Sequence, residues 1–224
     1  MVCHDRFFFA LFSLFRYSLS IGMLERPLVV GFLWGVFTGE YSISLNIAIF
    51  FELFWLDLIP VGTFLPPHLT AVTFSALSLT TFFGLKTPGG ALGVILACMP
   101  LAWLGSKVEG WLRDQEQSGY NKLLHWVRHP DNENGPGVLI LRSLTRTFVV
   151  SWACFFVSVM ALKFLFETLF TLYPGALSTL DIKWAHLWGA ATLGGLMALR
   201  LKRAYAVLAT GVTLFVLFTL FTRF

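Results

Sequence analysis

Apolar residues come in long blocks along this chain, without the short alternation of a half-buried sheet. Blocks at about 7–23, 28–38, 43–61, 69–85, 87–105, 147–172, 184–199 and 204–221 are dominated by Leu, Phe, Val, Ile, Ala and Trp. A helix that crosses a bilayer needs about 20 apolar residues, and several of these blocks are shorter. Glycine and proline interrupt them. Irregular backbone survives at membrane depth only when it is buried in protein or lines a cavity, so such segments predict re-entrant hairpins and broken helices beside full spans. The predicted fold class is an all-α polytopic membrane protein built from these three kinds of element.

One long polar stretch, from Gly105 to Arg146, divides the chain into a first membrane half (1–104), a middle segment (105–146) and a second membrane half (147–224). Its lysines and arginines place it in the cytoplasm by the positive-inside rule. From Ser106 to Val127, apolar and charged residues interleave as in an amphipathic helix lying on the membrane surface. The run His129-Pro130-Asp131-Asn132-Glu133-Asn134-Gly135-Pro136-Gly137 then reads as a turn-rich linker. Arg200, Lys202 and Arg203 should also be cytoplasmic, which requires an even number of crossings between 147 and 199 and leaves the C-terminus outside.

Composition supports a membrane setting. Of 224 residues, 57% are hydrophobic and 12% charged, about half the charged fraction of an average soluble domain. A water-soluble fold of this length needs more polar surface than that. The net charge of +4 does not imply nucleic acid, because the basic residues flank apolar blocks and form no aromatic-interleaved stripe. Cys3, Cys98 and Cys154 share no metal-site spacing and read as packing residues. Neither a metal nor a cofactor is expected. Arg16 interrupts the first apolar block and no small-residue cleavage site follows, which argues against a removed signal peptide.

Gly31, Gly35 and Gly39 recur every four residues, on one helix face, where they let another backbone approach closely. A second small-residue run, Gly189 to Gly195, lies in the other half as a possible distant counterpart.

The candidate chemistry lies between residues 25 and 68. Glu40, Glu52 and Asp57 fall in or beside apolar runs, with no Lys or Arg between 27 and 85. An acid at bilayer depth costs several kcal/mol unless it is paired, protonated or hydrated, so function is its default reading. A structural hydrogen bond to a helix end or a partner subunit is the alternative. Glu52 and Asp57 are five residues apart, about 140° around a helix, and would not share a face. Next come Pro60, Gly62, Thr63, Pro66, Pro67 and His68. Three prolines and a glycine so close together cannot continue a helix. The backbone opens there, and its freed groups could meet a hydroxylated ligand; a turn at the membrane surface is the alternative.

These residues resemble the IIC membrane subunit of the mannose/fructose/sorbose family of the bacterial phosphotransferase system. The resemblance rests on Arg26-Pro27, Gly39-Glu40, Glu52, Pro60-Val61-Gly62 and Pro66-Pro67-His68, a dense match over some 45 residues. A looser one extends through Pro174 to Gly194-Gly195-Leu196-Met197. It implies an elevator-transporter-like subunit in the bacterial inner membrane that binds a hexose or related sugar and moves it inward. It also implies a IID-like membrane partner, cytoplasmic IIA and IIB phosphocarriers and homo-oligomerisation within the complex. The phosphate would travel on the carriers, so none of His4, His68, His125, His129 or His186 is expected to be phosphorylated. The implied sugar-binding residues are Glu40, Glu52, Asp57, Gly62, Thr63, Pro66, Pro67 and His68. There are departures: His68 stands where the family has Asp, Asp57 replaces a small residue, and Ser44, Ala48, Ile49 and Phe50 fill positions where the family is rich in glycine. Bulky Ile49 and Phe50 support a competing reading, a structural or regulatory subunit of the same fold that no longer transports. A third reading, an intramembrane enzyme using Glu52, Asp57 and His68 as acid and base, would need a convergent geometry that sequence does not display.

Overall fold

A computed structural model describes residues 25–56, 65–128, 136–172, 182–198, 205–211 and 213. Among these residues all regular structure is helical. Six helices follow in order: α1 (Pro27–Thr38), α2 (Tyr41–Phe54), α3 (Leu69–Phe82), α4 (Pro88–Arg128), α5 (Pro136–Leu172) and α6 (Trp184–Ala198). Asp57, Pro60, Gly62 and Thr63, the linker 129–135, the first apolar block and the Arg200–Arg203 cluster lie outside the described residues.

α1 and α2 form a tight hairpin, and the glycine triplet explains it. A methyl at Gly31 would overlap Ala48 Cβ and approach the Ser44 carbonyl oxygen to 2.9 Å; one at Gly35 would reach the Tyr41 ring at 2.8 Å. Gly39 ends α1 in the left-handed region (φ 76°), with its N–H donating to the Gly35 carbonyl, a conformation in which a side chain is strained. Two glycines therefore bring the helices together and the third turns the chain.

The second glycine run packs on the opposite end of the same helix. A methyl at Gly195 would meet the Leu53 carbonyl at 2.7 Å, and one at Gly194 the Phe54 ring at 3.0 Å. The Trp188 indole N–H donates to the Asn46 carbonyl at 3.2 Å. α2 is thus held between α1 and α6.

α3 is the buried centre: Thr70 through Thr80 are all buried, and it packs against α1, α2, α4 and α5. It carries no charged residue, and two of its six hydroxyls turn back onto the helix, Thr73 to the Leu69 carbonyl and Ser75 to that of Ala71. Ser78 Oγ and Thr80 Oγ1 have no hydrogen-bond partner among the described residues. Trp34 of α1 joins the group edge-to-face with Phe74 and donates to Thr81 Oγ1 at 3.1 Å.

Two helices contain windows long and apolar enough to cross a membrane, Pro88–Glu116 and Gly137–Leu172. Almost none of the second window is buried in the chain, and Val149, Trp152, Val157, Phe164 and Leu165 are exposed. So continuous an apolar surface calls for lipid or a partner. The structure differs from the sequence reading around Gly105. The charged segment is the continuation of α4, which runs unbroken through Pro100 for 41 residues. Such a helix rises about 60 Å, twice the hydrocarbon thickness of a bilayer, so its charged half runs on past any membrane its apolar half crosses. Contacts with α5 support the extension: Glu116 accepts from the Ser143 hydroxyl at 2.6 Å, and the Arg146 guanidinium lies over the Trp111 ring.

Candidate functional site

The acids of α2 occupy its two ends. Glu40 is the N-cap residue and Glu52 sits in the last turn, about 18 Å apart along the axis at 1.5 Å per residue. They do not form one site. Each meets a cation just outside the segment that lacks them in sequence. Glu52 Oε1 lies 3.3 Å from Arg26 Nη1, and Glu52 Oε2 accepts from the Leu28 N–H at 3.4 Å. Glu40 lies 3.8 Å from Lys86 Nζ, in the connection between α3 and α4.

Arg26 caps α1 with extended backbone but makes no side-chain cap bond, and Pro27 takes the first helical position, where a missing N–H costs nothing. The carboxylate of Glu52 fills the gap in the capping. It accepts an otherwise orphaned N–H and places negative charge at the positive end of the helix dipole. The alternative role considered for Glu52, bonding to a helix end, is therefore part of its geometry. Its side chain keeps 16% exposure, and each carboxylate oxygen has a further lone pair for a donor.

Pro66 and Pro67 lead into His68, the N-cap of α3. Its Nδ1 accepts from the Ala71 N–H at 3.2 Å, so Nδ1 carries no proton in this arrangement and Nε2 is the donor. Asp does the same job at an N-cap through a carboxylate. The His68 backbone N–H donates to the Ala102 carbonyl at 2.9 Å, and Gly105 lets α4 close on it, since a methyl there would come within 2.6 Å of His68 Cβ. The residue is 7% exposed.

What exposure His68 has faces a small half-open cleft between α3, α4 and α5, with a cavity volume of about 80 Å³. Its apolar wall includes Leu101, Leu104, Val108, Leu112 and Phe155, and its polar groups are His68, Ser75, Glu109, Thr147, Ser151 and Ser158. Glu109 Oε1 also binds Arg113 at 2.8 Å. Among the described candidate site residues, His68 lines this cleft, and Glu40, Glu52, Pro66 and Pro67 do not. The sequence reading passed over Ser75, Glu109, Thr147, Ser151 and Ser158. The signal for the α5 group was a spacing of four and seven that puts Thr147, Ser151 and Ser158 on one helix face. Cys98 is buried in the core as a packing residue, but Cys154 is exposed and lines the cleft. Its expected packing role therefore does not hold.

Two long apolar helices, one of them with an outward apolar face, fit a helical membrane protein. The sequence profile described as "PTS system sorbose-specific iic component" matches residues 6–179, more than three quarters of the chain. The chain belongs to that family: it is a membrane component of phosphotransferase sugar transport, of the kind that works in a complex with phosphotransferase partner subunits. No curated protein matches it at a significant level.

Proposed function

We propose that this chain is the sugar-translocating IIC subunit of a phosphoenolpyruvate-dependent phosphotransferase system, a multi-pass protein of a bacterial inner membrane. It moves a hexose or related sugar inward while a IID-like membrane subunit and cytoplasmic IIA and IIB carriers supply translocation and phosphorylation partners. It works as a homo-oligomer within that complex. The observation that carries this reading is that the family match spans every motif of the first half, from Arg26-Pro27 to Pro66-Pro67-His68. The substrate-contacting set is Glu52, Glu40, Asp57, Gly62, Thr63, Pro66, Pro67 and His68. Supporting it are the 16% exposure left to Glu52 and the opening of His68 onto a polar cleft.

An elevator-like mechanism with re-entrant elements accompanies the reading. α1, α2 and α3, of 12, 14 and 14 residues, rise only about 18–21 Å, short of a 30 Å hydrocarbon core. A hairpin of two such helices closed on Gly39 enters a membrane without crossing it.

The competing reading, a subunit that keeps the fold without transporting, draws on Phe50, which is buried and stacked on Phe54 with ring centroids 6.1 Å apart. Co-expression with IIA, IIB and IID partners in a strain lacking its own hexose systems decides between them. Phosphoenolpyruvate-dependent uptake of a labelled hexose is expected. Its absence, with all partners present in the membrane fraction, would establish the second reading.

A further inference from the structure

Four cations in these helices and their turns each lie against a carboxylate: Arg26 against Glu52, Lys86 against Glu40, Arg113 against Glu109 and Lys163 against Glu167. Among the described residues Lys107 and Arg146 have no such partner. Each lies over an indole instead, Lys107 Nζ 5.3 Å from the Trp103 ring centroid and Arg146 Cζ 5.7 Å from that of Trp111. A cation on an aromatic face keeps its charge available to an anion. Arg146 also donates to the neutral side chain of Gln115, which compensates no charge.

The two cations mark one level of the molecule. α4 has no charged residue from Pro88 to Ser106 and α5 none from Thr147 to Leu162, so Lys107 and Arg146 are the first charges met where each helix leaves its apolar run. The run on α4 rises about 28 Å, close to the hydrocarbon thickness of a bilayer. Arg146 stacks on Trp111, which holds the exits of the two helices at the same height. Trp103 and Trp111 are 62% and 50% exposed there, and exposed indoles collect at the level of the headgroups. Leu96, Pro100, Trp103, Lys107 and Trp111 follow one another at spacings of three and four, all of them exposed, and so form one stripe along α4. Its lower part is apolar and its upper part cationic. Asp114, the next acid on that stripe, stands a turn further from the apolar run.

We infer that this stripe, with Arg146 beside it, seats an anionic phospholipid: the headgroup phosphate meets Lys107 and Arg146, and an acyl chain lies along the apolar stretch from Leu96 to Trp103. The boundary is the cytoplasmic one by the positive-inside rule, where anionic lipids attract basic residues most. A zwitterionic headgroup carries its own cation to the same place and gains less. A soluble phosphate has no chain to cover the apolar half of the stripe. Bound there, the lipid bridges α4 and α5 where their charged extensions begin.

The full chain, purified in dodecyl maltoside, is mixed with equal amounts of dioleoyl phosphatidylglycerol and dioleoyl phosphatidylcholine and passed through gel filtration. Native mass spectrometry then counts the lipids it retains. Wild type is expected to prefer the glycerol lipid about twentyfold, at about fivefold for each cation. Lys107→Gln should lower that preference about fivefold, and Lys107→Gln with Arg146→Gln should bring the two lipids near equality. Lys86→Met, which removes an exposed cation away from the stripe, should leave the preference unchanged. Lys107 is exposed, so its single variant carries the test if the double one does not reach the membrane. Equal retention of the two lipids by wild type, or an unchanged preference in Lys107→Gln, overturns the inference. Displacement of the glycerol lipid by excess glycerol 1-phosphate, which has the phosphate without the chains, assigns the cations to a soluble ligand and overturns it as well.

Discussion

Glu52, in the last turn of α2, closes the N-terminus of α1 by accepting from Arg26 Nη1 through Oε1 and from the Leu28 N–H through Oε2. One carboxylate thus anchors the open end of the hairpin whose other end turns on Gly39. The pair is 43% and 16% exposed, so solvent screening holds its direct contribution to stability to about 1 kcal/mol or less.

That modest value makes Glu52 separable from folding. Glu52→Gln keeps an acceptor for Leu28 and removes the charge, so near-normal expression is expected, together with a several-fold rise in the KM for sugar uptake if the carboxylate also orients sugar hydroxyls. Arg26→Met should affect uptake less than Glu52→Gln does. Equal, small effects from both, with unchanged KM, would confine Glu52 to closing the hairpin.

His68→Asp should fold, because a carboxylate is at least as good an N-cap acceptor for the Ala71 N–H as Nδ1. Its effect belongs in the preference among hexoses and amino sugars, measured by uptake against membrane expression. His68→Ala loses the cap, worth about 1 kcal/mol, and should lower thermal stability in detergent. A His68→Asp uptake profile identical to wild type would place the Pro66–His68 turn away from the ligand.

The glycines divide by what surrounds them. Gly31→Ala and Gly195→Ala each push a methyl into a neighbouring helix and should destabilise by about 1–3 kcal/mol, as overpacking does. Gly189→Ala meets nothing within 4 Å and should be neutral or slightly stabilising through helix propensity. Thermal aggregation midpoints in one detergent rank the three; a Gly189→Ala shift as large as that of Gly31→Ala would contradict the packing described.

Glu40 and Lys86 are more exposed and farther apart, at 3.8 Å with Lys86 79% exposed. Lys86→Met should change stability by less than about 0.5 kcal/mol. A larger loss, read by the same midpoint, would mean that the two turns depend on this contact.

Elements whose formation is local were legible in the chain. The apolar blocks at 28–38, 69–85 and 184–199 became α1, α3 and α6 within a few residues, because main-chain hydrogen bonding in an apolar medium leaves helix as the only local solution. Composition called for lipid, and the motifs from Arg26 to His68 carried the family resemblance. What sequence order hid was pairing across distance. Scanning between residues 27 and 85 missed that the cations for Glu52 and Glu40 stand at 26 and 86, because the hairpin and the α3–α4 connection fold them back. It also missed that a hydroxyl face on α5 closes over His68. The residues themselves determine that this chain forms apolar helices and belongs in a membrane. Only the tertiary structure decides which acids are neutralised and by which cations, since a charge is satisfied by whatever lies within a few ångströms in space, whatever its distance along the chain.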